Sequence, residues 1–359
     1  MDTKKTILIT GAAGYVGAML VNEFAKRDDV GKIIGIDKEA APELIRDNPK
    51  LTYIEQNLAD NGWEKKARAL APDIVIHTAW HIREIYGNHA LTWKWNIEAS
   101  DRVFDFAFTE PSVTRLIHFS TVASYGAFAS NEIDFRYTEE DSFRKTDYLY
   151  AEEKRIAEEH LRKRFARRTN QEVAVAVVRP AAITGPRGRF DRIRFGLQSA
   201  LSGSLSGEKS FAYRVVSLLV SRIPATPKWL RQFIHEDDVV GITERLVFGE
   251  LPGTYEVFNI CPPGPAVRAG DMARAVGKKV LPIAPWMMRV GNFFAWHLSH
   301  GKIPTGKGSW KSYSYPIAVD GSKVTKVLGY QYRFSSLDAF EFTDGRYESC
   351  VPEEARKHK

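Results

Sequence analysis

The first half of the chain alternates short runs of β-branched and aliphatic residues with longer stretches of helical period. Thr6–Thr10, Lys32–Ile36, Leu51–Glu55, Asp73–His77, Arg115–Ser120 and Val173–Val178 read as strands. Several are apolar throughout rather than alternating, as strands covered on both faces are. Gly14–Arg27, His89–Phe108 and Asp147–Arg168 read as the helices between them. This order predicts βαβ units, hence an α/β protein built on a doubly wound parallel sheet. Val257–Ile260 predicts a late edge strand.

The pattern changes after Arg179-Pro180. Residues 181–232 and 261–359 carry more Gly, Pro, Ser and aromatics and read as a smaller C-terminal substrate lobe. Residues 1–180 read as the main domain, and 233–260 as a return to it. In the lobe, Trp286, Val290, Phe293 and Phe294 share one helical face. That stripe reads as core, ahead of a lid over an apolar substrate or a membrane-surface helix.

Composition narrows the class. Hydrophobic residues are 44% and charged residues 26% of the 359, which excludes a disordered chain, a collagen-like fibre and a membrane bundle. Two cysteines form no disulfide framework, so a reducing compartment is expected. The N-terminus lacks the apolar h-region of a signal peptide. Leu281–Leu298 is too short and too polar to span a bilayer, so the expectation is a cytoplasmic chain without stable membrane insertion. The net charge is +7. Much of the local excess, Arg162, Lys163, Arg164, Arg167 and Arg168, reads as a solvated helix end, and no nucleic-acid-binding motif accompanies it.

Candidate chemistry begins at the first strand. Thr6–Thr10 leads into Gly11-Ala12-Ala13-Gly14-Tyr15-Val16-Gly17 and then a helix. Glycines at that spacing allow a tight turn whose backbone amides, with the helix N-terminus behind them, approach a pyrophosphate. This is the Rossmann-type arrangement for a dinucleotide. Asp37 closes the second strand about 20 residues beyond the last glycine, where a carboxylate accepts from ribose hydroxyls and repels a 2′-phosphate, favouring NAD over NADP. Lys38 partly offsets that repulsion.

Tyr150 and Lys154 stand four apart in the chain's single YxxxK, on one face of a predicted helix. A phenol with an ordinary pKa near 10 is a poor proton shuttle at neutral pH, and a neighbouring ammonium lowers that value. Upstream, the fifth strand ends in Ser120-Thr121, a hydroxyl pair at the strand end where ligands bind in open α/β sheets. His77 and His81 do not have helical ligand spacing, because His77 lies on a strand. No metal is expected. His81 remains a candidate for the edge of a substrate pocket, and His235 reads as support for a sheet edge. Glu152 and Glu153 read as solvated helix charges.

Taken together, these motifs resemble the extended short-chain dehydrogenase/reductases, the NAD-dependent epimerase and dehydratase group. The resemblance runs through Thr10-Gly11-x-x-Gly14-x-x-Gly17, Asp37, Asn57-Leu58, His77-Thr78-Ala79, Asn96, Ser120-Thr121 through Tyr125-Gly126, Tyr150-x-x-x-Lys154, Arg179-Pro180, Gly185-Pro186 and Arg231 through Val239. Leu328-Gly329-Tyr330 resembles that family's closing element. The resemblance implies that Tyr150 is the general acid/base, Lys154 its pKa tuner and ribose ligand, and Thr121 the catalytic hydroxyl. It implies that Gly11, Gly14, Tyr15, Val16, Gly17, Asp37 and Lys38 bind the cofactor. Leu58 would line the adenine, Thr78, Ala79 and Trp80 the cofactor cleft, and Pro180 the nicotinamide. Asn96 would support the site's backbone, and Arg231 would contact a substrate phosphate.

Departures from the pattern narrow the reaction. Val122-Ala123 follow the catalytic threonine where the 4,6-dehydratases carry an Asp-Glu pair, so dehydration is not expected. What the resemblance then implies is an epimerase-like enzyme moving a hydride reversibly at a secondary alcohol of a nucleotide sugar, working as a homodimer. Ala181-Ala182-Ile183-Thr184 lacks the asparagine common after Arg-Pro in the sugar-nucleotide epimerases. That keeps open a dehydrogenase or reductase of a more hydrophobic alcohol, of hydroxysteroid or flavonol type. A non-catalytic nucleotide-binding scaffold is the remaining alternative.

Overall fold

The structure, a computed structural model, describes residues 4–192, 222–275 and 277–359. Part of the anticipated lobe, 193–221, lies outside these. In chain order the strands are β1 Lys5–Thr10, β2 Val30–Asp37, β3 Leu51–Glu55, β4 Ile74–His77, β5 Arg115–Phe119, β6 Ala174–Pro180, β7 Ala182–Thr184, β8 Arg222–Ala225, β9 Leu230–Arg231, β10 Phe233–His235, β11 Tyr255–Ile260, β12 Val267–Arg268 and β13 Lys279–Pro282.

Seven of them form one sheet in the order β11-β6-β5-β4-β1-β2-β3. Pairing is parallel from β3 across to β6. The strand order reverses between β1 and β4, a topological switch point of the kind beside which α/β sheets bind ligands. The doubly wound Rossmann-type sheet is therefore present. β1 is buried from Ile7 to Thr10 and β4 throughout, which is why their sequences run apolar without alternating. Helices Ala99–Thr109 and Leu149–Phe165 contribute Val103, Phe104, Phe106, Ala107 and Leu161 to the core against Leu8, Val75, Leu116 and Val175.

The chain divides into two compact units. Unit 1 comprises 1–121, 152–179 and 240–258, and unit 2 comprises 122–151, 180–239 and 259–359. Residues 122–151, read from the sequence with the main domain, thus pack in unit 2, and the return begins at Val240 rather than Phe233. Unit 2 has its own core, in which Phe233, Trp229, Phe334 and Phe340 pack with Met272.

The expected helix over 89–108 is interrupted. His89–Trp93 is α-helical, Lys94–Glu98 forms a π turn, and the α-helix resumes at Ala99. Such π turns insert one extra residue and often mark functional positions.

The aromatic stripe of the lobe does not enter a core. On the helix Pro285–Leu298, Trp286, Val290, Phe293 and Phe294 are 64%, 44%, 57% and 55% exposed. The side turned inward carries Trp296, with Asn292 donating to the Ser309 hydroxyl at 3.1 Å. Periodicity identifies residues that share a face, and here that face points to solvent.

Candidate active site

The glycine turn follows β1 directly. Gly11 adopts φ +74°, and a Cβ there would lie 2.5 Å from the Ala79 backbone nitrogen. A Cβ on Gly17 would collide with the Gly11 carbonyl oxygen. Both positions therefore require glycine, one for its left-handed backbone and the other for close approach. Helix Tyr15–Phe24 starts after Gly14 with no side-chain cap and no acid in its first turn, so the positive end of its dipole is not offset by an acidic side chain there.

Asp37 closes β2 beside this turn. Its carboxylate accepts the Ala13 N–H at 3.0 Å and the Glu39 N–H at 3.1 Å, and burial raises its pKa. Lys38 lies 3.8 Å from the centroid of the Trp95 ring. Leu58 packs into the core, its carbonyl accepting from the Trp63 indole. At the end of β4, Thr78 donates its hydroxyl to the Thr10 carbonyl at 2.7 Å, holding the β1 and β4 ends together. The indole nitrogen of Trp80 and the hydroxyl of Ser120 are buried with no protein partner among the described residues. A cradle that admits no Cβ, a helix N-terminus with no acid in its own first turn, a strand-end acid and these orphaned polar atoms fit a dinucleotide. Gly11, Gly14, Tyr15, Val16, Gly17 and Asp37 would hold it, with Trp80 alongside.

The helix Leu149–Phe165 carries Tyr150 and Lys154 one turn apart. Lys154 is buried. Its ammonium donates to the Phe119 carbonyl at 2.5 Å and lies 3.7 Å from the Trp80 ring centroid. Burial lowers its pKa to about 7 against the opposing pull of Glu158 and Glu153. Lys154 thus joins the β5 end, two residues before buried Thr121, to the Trp80 loop within unit 1.

Tyr150 is half-buried in unit 2, its ring centroid 5.9 Å from that of Tyr148. Burial, then Tyr313 and Tyr150, raise the Tyr148 phenol above its usual range, with Arg231 pulling it down. Arg231, on the two-residue strand β9, faces the Tyr313 ring at 5.6 Å. Tyr148, Tyr150, Tyr313 and Arg231 form one cluster, of which the sequence singled out Tyr150 and Arg231. Pro180 is buried at the end of β6.

One reading changes. Glu153, expected as a solvated charge, is 1% exposed. It accepts from the Asn96 amide at 2.7 Å, and burial raises its pKa. No local signal marks it, because its partner sits on the π turn far away in sequence. Asn96 in turn binds the His81 backbone from both sides, accepting its N–H at 2.7 Å and donating to its carbonyl at 3.0 Å. His81 rests edge-on against Trp95, its pKa lowered by burial and by Lys38 and Arg83. Asn96 therefore shapes the Trp80-His81 loop.

His77, His118 and His235 are held inside the fold. His77 bridges the Thr10 and Ser100 hydroxyls at 2.7 and 2.8 Å and stacks on His118, and burial lowers its pKa to about 3. His235 on β10 stacks on Phe334 and accepts the Asp237 N–H. Glu236 supports the turn after β7, accepting the N–H groups of Arg187 and Gly188.

Comparison with known proteins agrees with this fold. An uncharacterized protein of Mycobacterium tuberculosis is 24% identical over 345 residues, covering 94% of this chain and 82% of its own length. The UDP-glucose 4-epimerase of Thermotoga maritima, solved with UDP-glucose, superposes with a TM-score of 0.67 at 20% identity, over 94% of this chain and 97% of that one. The dTDP-glucose 4,6-dehydratase of Bacillus anthracis, solved with NAD, superposes with a TM-score of 0.66 at 15% identity, over 94% and 95%. The model of one family matches residues 7–261, spanning the glycine turn, Tyr150 and Lys154, and the chain belongs to that family, the NAD-dependent epimerases and dehydratases.

Proposed function

We propose that this protein interconverts or oxidises a secondary alcohol of a nucleotide sugar by reversible hydride transfer, using NAD. When bound, NAD supplies the hydride acceptor. Tyr150 withdraws the proton from the substrate hydroxyl and returns it to the oxygen in the reverse direction, a role worth about 10²–10⁴-fold in rate. Thr121 donates a hydrogen bond to that oxygen, and Lys154 favours the phenolate through its charge. Arg231 binds a phosphate of the nucleotide.

The observation that carries this reading is the helix Leu149–Phe165, which sets a tyrosine one turn from a lysine whose buried ammonium joins the β5 end to the dinucleotide cradle. Val122-Ala123, on the 3-10 turn Val122–Tyr125, support hydride transfer over dehydration, since neither side chain exchanges a proton. The decisive experiment offers UDP- and dTDP-linked hexoses to the wild type and to Tyr150→Phe. Turnover by the wild type, abolished in the variant with NAD affinity held within about threefold, supports the reading, since the tyrosine acts in the transition state. Equal rates overturn it.

The second reading, a dehydrogenase of a more hydrophobic alcohol, is favoured by the apolar Ala181-Ala182-Ile183 after Pro180. It is distinguished by consumption of added NAD in step with product, which an epimerase does not require.

A further inference from the structure

We propose that the helix Pro285–Leu298 is a docking surface for an anionic lipid bilayer. A surface helix ordinarily turns its apolar stripe to the core. This one does the reverse: Trp286, Met287, Val290, Phe293, Phe294 and Leu298 are all exposed, Leu298 at 79%. At 100° per residue they occupy an arc of about 140°. Arg289 is exposed at its margin. Nearby Leu281 and Ile303 are exposed as well.

Charge identifies the occupant. From Met272 to Val319 the chain contains no Asp or Glu and seven cations, Arg274, Lys278, Lys279, Arg289, Lys302, Lys307 and Lys311. The net charge of +7 is thus held entirely in this stretch, and the rest of the chain balances. Asp271 pairs with Arg274 and Asp147 with Lys311, while Lys279, Arg289, Lys302 and Lys307 are exposed. The segment after the helix folds back along it, Thr305 donating its hydroxyl to the Asn292 carbonyl at 3.0 Å, so the stretch that carries exposed Lys302 and Lys307 stays beside the helix.

An outward face of Trp, Phe and Leu with Arg289 at its margin, carried by a stretch that holds exposed lysines and no acid, matches the interface of a negatively charged membrane, in which the rings enter the headgroup region and the cations meet phosphates. A second copy of the chain matches less well, since a two-fold contact would set the same cations against each other. The helix is not long and apolar enough to cross a bilayer, so it lies on the surface.

The test is flotation of the full chain with phosphatidylcholine vesicles, with and without phosphatidylglycerol. The wild type is expected to bind the anionic vesicles at least about tenfold better, and to lose that binding in high salt. Trp286→Ser/Phe293→Ser/Phe294→Ser should lower binding by at least about tenfold with unchanged circular dichroism and Tm, since these side chains already face solvent. Lys302→Gln and Lys307→Gln should each weaken it about fivefold. A Trp286→Phe variant supplies a second readout: the emission it loses should shift to shorter wavelength on vesicle addition. Three results would overturn the proposal: no preference for anionic vesicles, wild-type binding by the triple variant, or a self-associated species that the triple substitution dissolves.

Discussion

The buried carboxylate of Glu153 accepts a hydrogen bond from the Asn96 side chain at 2.7 Å, joining the neighbour of Lys154 to the π turn that shapes the Trp80-His81 loop. One residue thus couples the helix of the proposed acid/base pair to the cofactor side of unit 1. Glu153→Leu would leave the Asn96 amide short of a partner, at a cost of about 1–3 kcal/mol in stability. We expect weaker NAD binding and lower turnover in that variant. Glu153→Gln keeps an acceptor oxygen and should restore most of both, as calorimetric titration and initial rates would show.

Lys154 sets a pH dependence that can be measured without substrate. Its folded pKa is about 7, against an ordinary 10.5. Between those values the unfolded chain holds a proton the folded chain lacks, so this group's contribution to stability rises with pH across that window. Lys154→Met should therefore raise the Tm of the cofactor-free protein at pH 7, flatten its slope from pH 7 to 10, and abolish turnover. An unchanged slope would show that the ammonium is not desolvated.

Asp238 carries the opposite sign. It is buried, accepts the Tyr330 hydroxyl at 2.8 Å and the Arg333 N–H at 2.9 Å, and burial raises its pKa from 3.8 to about 6. Between pH 4 and 6 the folded chain holds the extra proton, so stability from this group falls as pH rises. Asp238→Asn should remove that slope, and Tyr330→Phe should cost about 1–2 kcal/mol at neutral pH. Urea titrations at pH 4.5 and 7 separate the two effects.

Gly17→Ala places a methyl group against the Gly11 carbonyl. The turn has to open to admit it, and we expect at least about a tenfold loss of NAD affinity, read by calorimetry, with Tm also lowered.

Arg231→Leu tests the substrate class. Should the arginine bind a phosphate in ground and transition states alike, KM for a nucleotide sugar rises at least about tenfold while kcat changes little. No change in KM would favour the reading with an uncharged alcohol.

The parallel sheet was legible because strands buried on both faces must be apolar throughout, and β1 and β4 fell within a residue of their sequence positions. The glycine turn was legible because backbone sterics leave no other residue for Gly11. What lay hidden depends on distant partners. Glu152-Glu153-Lys154 reads locally as a solvated charge run, and its buried middle member meets Asn96 and His89, both distant in sequence. The π turn leaves no trace in the period of a five-residue stretch. The stripe from Trp286 to Phe294 was found, but its direction depends on what packs behind the helix, and Trp296 and Asn292 took that place.

The confinement of the excess cations to one stretch of unit 2 has a mechanical consequence. A uniformly basic molecule is merely drawn to a negative surface, whereas a lopsided one is also turned by it. Within about a Debye length, roughly 8–10 Å in physiological salt, the field exerts a torque that brings residues 272–319 forward. On the docking proposed for the helix Pro285–Leu298, the chain then arrives already aligned, with Trp286 and its neighbours leading.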